Sequence, residues 1–122
     1  MVNNLWLSDI WSFGVIIYEM CNLRLPFEAT NYNALALKIM KGLYPSITPT
    51  YSKQLRDLIT CMLAPKPQNR PTIIDIINKP FIKKRVEKYI NELISRCSTN
   101  SDNDDIFLDS VREQAQSLKI VL

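Results

Sequence analysis

The 122-residue sequence predicts an all-helical protein. Apolar residues recur at intervals of three and four through several segments, the signature of one-sided helices. Capping residues and prolines mark the ends of those segments. No stretch reads as a strand. With 47% apolar residues the chain can bury one modest core, so a single domain with a tail is expected.

The elements follow in order. Residues 8–23 read as a helix capped by Ser8 or Asp9. Its apolar residues cover every face, so protein must wrap it on all sides. Leu25-Pro26-Phe27 ends it, because a proline disfavours helical geometry in the residue before it. A second helix spans 31–41, with Thr30 or Asn31 as cap and Gly42 as stop. Pro45 and Pro49 make 44–50 an extended connection.

Residues 52–63 carry the cleanest pattern, with Leu55, Leu58, Ile59, Met62 and Leu63 on one face before Pro65 and Pro67 break the helix. Thr72 and Asp75 have capping-box spacing and open a short helix that Pro80 closes. A longer helix runs from Phe81 to Cys97 with Ile82, Val86, Ile90, Leu93 and Cys97 on one side. Residues 98–105 form a polar, disordered linker. A last amphipathic segment, 106–119, aligns Phe107, Val111, Ala115 and Leu118.

Composition excludes several chemistries. The chain has no histidine, which removes histidine-based nucleophilic catalysis and histidine metal ligands. Its two glycines, Gly14 and Gly42, lie too far apart for a phosphate-cradling glycine loop. Three cysteines with no close pair suit reduced thiols, and Cys21 and Cys61 read as small core hydrophobes. No catalytic, cofactor-binding or metal-ligating residue is predicted. The run 10–25 carries Glu19 and Arg24 and is too short to span a membrane.

Residues 1–97 hold 13 basic and 7 acidic residues, a net of +6; residues 98–122 hold 2 and 5, a net of −3. The basic cluster from Lys79 to Arg96 has Glu87 and Glu92 interspersed and reads as a solvated helix face, not a specific nucleic-acid site.

Three ordered motifs carry a resemblance. Ser8-Asp9-Ile10-Trp11-Ser12-Phe13-Gly14 resembles the D-x-W-S-x-G opening of the buried central helix in the large lobe of eukaryotic protein kinases. Pro26-Phe27 resembles the turn after that helix, and Arg70-Pro71-Thr72 a late R-P-T element. Residues 33–47, the stretch from Tyr51 to Ile59 and the stretch from Lys79 to Arg85 are similar to NIMA-related serine/threonine kinases.

The resemblance implies the helical C-terminal portion of a kinase large lobe over 1–82, a helical extension over 83–97 and an acidic linker with a helix over 98–122. The parent fold is two-lobed α+β. It implies ATP-dependent phosphorylation of serine or threonine by a full-length parent that uses ATP and magnesium. Cytoplasmic placement at cytoskeleton, centrosome or cilium is also implied. Asp9 would accept backbone N–H bonds from the catalytic loop, Trp11 would pack beside it, and Arg70 would pair with the glutamate that closes the activation segment. Residues 31–41 resemble a docking helix, with Asn33, Leu35, Lys38 and Lys41 as candidates. The expected partners are other proteins or the N-terminal portion of a kinase domain.

The sequence also departs from the family pattern. It holds no glycine-rich loop, H-R-D, D-F-G or A-P-E motif. Leu55-Arg56-Asp57-Leu58 mimics H-R-D-L, but Met62 stands where asparagine is needed. The chain as given should therefore be inactive, and a non-catalytic interaction module is the alternative reading. Asp9 and Arg70 are expected to lack partners, Asp9 as a buried carboxylate. Marginal stability and an exposed apolar patch are expected because the central helix lacks the neighbours that would cover one of its sides.

Overall fold

The computed structural model describes residues 5–97 and 104–117, and every regular element among them is helical. In order these are α1 (Leu5–Asn22), α2 (Tyr32–Lys41), α3 (Lys53–Met62), a 3-10 turn (Pro67–Asn69), α4 (Ile73–Ile77), α5 (Pro80–Cys97) and α6 (Asp104–Ser117). The chain divides after Thr72 into two compact units, 1–72 and 73–122.

In the first unit α1 lies against α3. The closest approach is at Gly14, where an added Cβ would stand 2.9 Å from Met62 Cβ and 3.2 Å from Leu63 Cδ2. Only a residue without a side chain admits this spacing. Leu58, Ile59, Met62 and Leu63 are buried, as the spacing of 52–63 predicts.

Tyr18, Phe27, Ile47, Ile59 and Leu63 form the core cluster, with Trp11, Leu35, Ile39 and Tyr44 packed against it. Three ring contacts order its aromatic side. Trp11 stacks on Phe27 at 5.9 Å, and Tyr44 meets Phe27 and Tyr18 edge-on at 5.5 and 5.6 Å. Burial pushes the Tyr44 phenol up from its ordinary value, partly opposed by a hydrogen bond with Thr60.

Capping fixes α2 and α3. Asn31 Oδ1 accepts the Ala34 N–H at 2.8 Å, and Gly42, left-handed at φ 63°, closes α2 with its N–H toward Ile39 and Lys38 carbonyls. Ser52 Oγ accepts the Leu55 N–H. The connection 44–50 is held by two side chains of α1. Tyr18, fully buried, donates its hydroxyl to the Pro45 carbonyl at 2.8 Å. Asn22 accepts the Thr48 N–H at 2.9 Å and donates to the Ser46 carbonyl at 3.1 Å.

Several expectations need correction. α1 begins at Leu5, so Ser8 and Asp9 are residues within the helix and not its cap. Among the described residues, neighbours wrap α1 on one side only. Cys61 is exposed on the outer side of α3, whereas Cys21 is half-buried, its thiol pushed up by burial.

In the second unit α4 packs on α5 and α5 on α6. Ile82, Val86, Ile90 and Leu93 are half-buried along α5. α6 starts at Asp104, inside the segment expected to be a linker; the remainder of that segment, 98–103, lies outside the described residues. Its inner face is Leu108, Val111 and Ala115, not Phe107, which is half exposed at 51%. Leu108 and Phe107 both fit the helical period with Val111 and Ala115, and packing selects the former. Leu118 lies outside the described residues.

Gly14→Ala tests the helix contact. Alanine gains about 1 kcal/mol of helix propensity over glycine, while overpacking costs about 1–3 kcal/mol. Urea denaturation followed by circular dichroism is expected to show net destabilisation. Tyr18→Phe leaves the Pro45 carbonyl without its donor and should lower stability by about 1 kcal/mol in the same measurement.

Candidate functional site

One face of α1 is open. Asp9, Phe13, Ile16, Met20 and Leu23 follow one another at intervals of four, three, four and three, and every one is exposed. Ile16 is 54% and Met20 69% exposed, and Leu5 and Trp6 extend the stripe at the helix start. The opposite side carries Leu7, Ile10, Gly14 and Tyr18, all buried. The open face thus presents a continuous exposed row of large apolar side chains. Asp9 sets a carboxylate in that row, with its acceptor oxygens toward solvent.

Asp9 is therefore not the buried, unpartnered carboxylate expected from the sequence. The wall that would bury it is absent among the described residues, so solvent meets its charge. Phe13 is 45% exposed for the same reason. Trp11, Pro26 and Phe27 sit together instead in and around the core cluster.

Arg70 has a different surrounding from the one expected. Its guanidinium makes three hydrogen bonds to carbonyls: Nε to Ala64 at 2.9 Å, Nη1 to Leu7 at 2.9 Å and Nη2 to Pro65 at 3.3 Å. The planar fork thus ties the segment after α3 to the first turn of α1. Desolvation lowers its pKa, but an arginine stays protonated under any working condition. Arg70 therefore does not lack partners; backbone oxygens within the chain satisfy it. The sequence pattern shows the arginine but not these acceptors, because carbonyl positions depend on how α1 and α3 meet. Pro71 beside it is half-buried.

Of the docking-helix candidates, Asn33, Lys38 and Lys41 are exposed on α2, and Lys38 Nζ donates to the Glu28 carbonyl at 2.6 Å. Leu35 is half-buried against the core. The open apolar residues are Tyr32, Leu37, Met40 and Leu43, which the candidate set missed. The H-R-D-L mimic lies on α3 with Leu58 buried and Asp57 in an exposed pair with Lys53, so it forms no catalytic loop.

The described residues hold no group of three histidine, cysteine, aspartate or glutamate side chains able to bind a metal. No described helix is long and apolar enough to cross a membrane. Together with the lack of a glycine-rich loop in the sequence, the residues present do not fit ATP and magnesium.

A helix that carries Asp9-x-Trp11-Ser12-x-Gly14, packed on a second helix and clamped by Arg70, defines a helical segment of the protein kinase large lobe. The protein kinase domain family matches residues 6–82, and the chain belongs to it. Within it the similarity is to NIMA-related serine/threonine kinases. The chain is 43% identical over 84 residues to serine/threonine-protein kinase Nek1 of Mus musculus, covering 69% of this chain and 7% of that protein. It is 43% identical over 96 residues to probable serine/threonine-protein kinase nek3 of Dictyostelium discoideum, covering 79% and 8%. Against serine/threonine-protein kinase Nek2 of Mus musculus it is 39% identical over 103 residues, covering 84% and 23%. The chain spans less than a quarter of the length of these relatives.

Arg70→Lys keeps the charge but loses the fork. Charged hydrogen bonds are worth about 1.5–3 kcal/mol, so a stability loss of about 2 kcal/mol in urea is expected. Asp9→Asn, at an exposed position in this chain, should change stability by no more than about 0.5 kcal/mol.

Proposed function

We propose that this chain is the helical large-lobe segment of a NIMA-related kinase, and that the open stripe of α1 seats the rest of a catalytic domain. The whole protein then phosphorylates serine or threonine with ATP, in the cytoplasm at the cytoskeleton, centrosome or cilium. The two-sidedness of α1 carries this reading: one face is closed on α3, while Asp9 and four apolar residues wait on the other. In that complex Asp9 accepts backbone N–H groups in a dry interface, where such charge-assisted bonds are strong. Glycine-rich loop, catalytic aspartate and metal ligands belong to the other segment, and no chemical step is assigned to residues of this chain.

A second reading, a non-catalytic interaction module, draws on Arg70. Its three carbonyl acceptors close the first unit without a carboxylate from another segment. The α1 stripe and α2 would then bind a regulatory partner, with α2 acting as a docking helix in either reading.

The test is a chimera in which residues 6–82 replace the matching segment of the Mus musculus Nek1 catalytic domain, assayed for phosphate transfer to a serine/threonine peptide library. A folded, active chimera is expected, with Asp9→Ala lowering activity by about a hundredfold or more, since it removes bonds worth about 3 kcal/mol or more in total. A folded chimera without activity, or one indifferent to Asp9→Ala, overturns the reading.

A further inference from the structure

Beside α2 lies a cavity of about 170 Å³ lined by Arg24, Leu25, Pro26, Glu28, Lys38, Leu43 and Pro45. We infer that this cavity is a peptide-docking site, taking one aliphatic or aromatic side chain from a short acidic segment of a partner protein. The inference rests on α2 being a docking element and adds the chemistry of what docks.

Size comes first. A cavity of roughly 150 Å³ holds a benzene-sized group, whereas small-molecule and cofactor sites run to about 300–1,000 Å³. One side chain fits here and a nucleotide does not. Four of the seven lining residues are leucines and prolines, which make the walls in part apolar and rigid; Arg24, Glu28 and Lys38 supply the polar remainder.

Charge comes second. Lys38 is held over the site by donating to the Glu28 backbone carbonyl at 2.6 Å, which leaves its positive charge unneutralised. Arg24 makes no ion pair among the described residues. With Lys41 exposed one turn beyond Lys38, the surroundings carry three cations against the single carboxylate of Glu28. A purely electrostatic partner such as a lipid surface would need the cations but not the cavity. An acidic peptide with one apolar anchor uses both.

The approach to the site is apolar and costly to build. Leu25 and Leu43 are 43% and 56% exposed while lining the cavity. Leu23, next to Arg24, ends α1 in the left-handed region at φ 56° with its side chain 88% exposed. Glycine would end the helix there without strain. A leucine there is both strained and exposed.

The experiment uses the full 122-residue chain and an array of acidic octapeptides, all aspartate and glutamate around a central leucine, methionine, phenylalanine or alanine. Binding is read by fluorescence anisotropy. Members with a large apolar centre are expected to bind at least about fivefold tighter than the alanine member, and to weaken as salt is raised. Arg24→Glu combined with Lys38→Glu should weaken binding about tenfold or more with the circular dichroism spectrum unchanged. The control reversal Lys84→Glu with Arg85→Glu, on α5, should not. Equal loss with the control pair, or no preference over alanine, overturns the inference. Loss on Leu37→Ser with Met40→Ser but not on the Arg24 and Lys38 reversal keeps α2 as a docking helix and overturns the cavity.

Discussion

The close approach of α1 and α3 at Gly14 sets the geometry on which the first unit depends. With no Cβ at that position, α3 can bring Met62 and Leu63 against the α1 backbone. That places Ile59 and Leu63 among Tyr18 and Phe27, and so closes the core. It also brings the Leu7 carbonyl and the segment after α3 within reach of one guanidinium, so that Arg70 bridges them. A wider helix separation would loosen both at once, because packing attraction falls steeply over fractions of an ångström.

The same contact explains why α1 is two-sided. A helix apolar all round is stable only when covered all round. Here α3, the Pro26-Phe27 turn and the 44–50 connection cover one side, and the row from Asp9 to Leu23 stays open. In the reading proposed above, the exposed apolar row joins this segment to another, and Asp9 is the polar mark on that joint.

Much of the fold was legible in the sequence. Six helices were expected and the described residues form six α-helices, because caps such as Asn31 and Ser52 and stops such as Gly42 act locally. The Asp9–Gly14, Pro26-Phe27 and Arg70-Pro71 motifs likewise announced the family before any geometry was known. The site was legible only in part. Asp9 was found, but its exposure was not, since exposure depends on which neighbours are present. Phe107 was placed on the inner face because helical period alone allows two adjacent stripes. Asn22, Leu23 and Arg24 carried no motif and became visible only as contacts of a folded loop.

By itself the sequence determined the helices, the capped ends of α2 and α3, the family and the exclusion of nucleotide-cradling and histidine chemistry from this chain. Those properties are set by residues close in the chain or by composition, and need no knowledge of the packing. The tertiary structure alone decided which side of α1 is covered, which carbonyls receive Arg70, and that Arg24 and Lys38 meet around one cavity. Each of these joins residues distant in sequence, whose distances are fixed by how helices pack and not by what any one segment prefers.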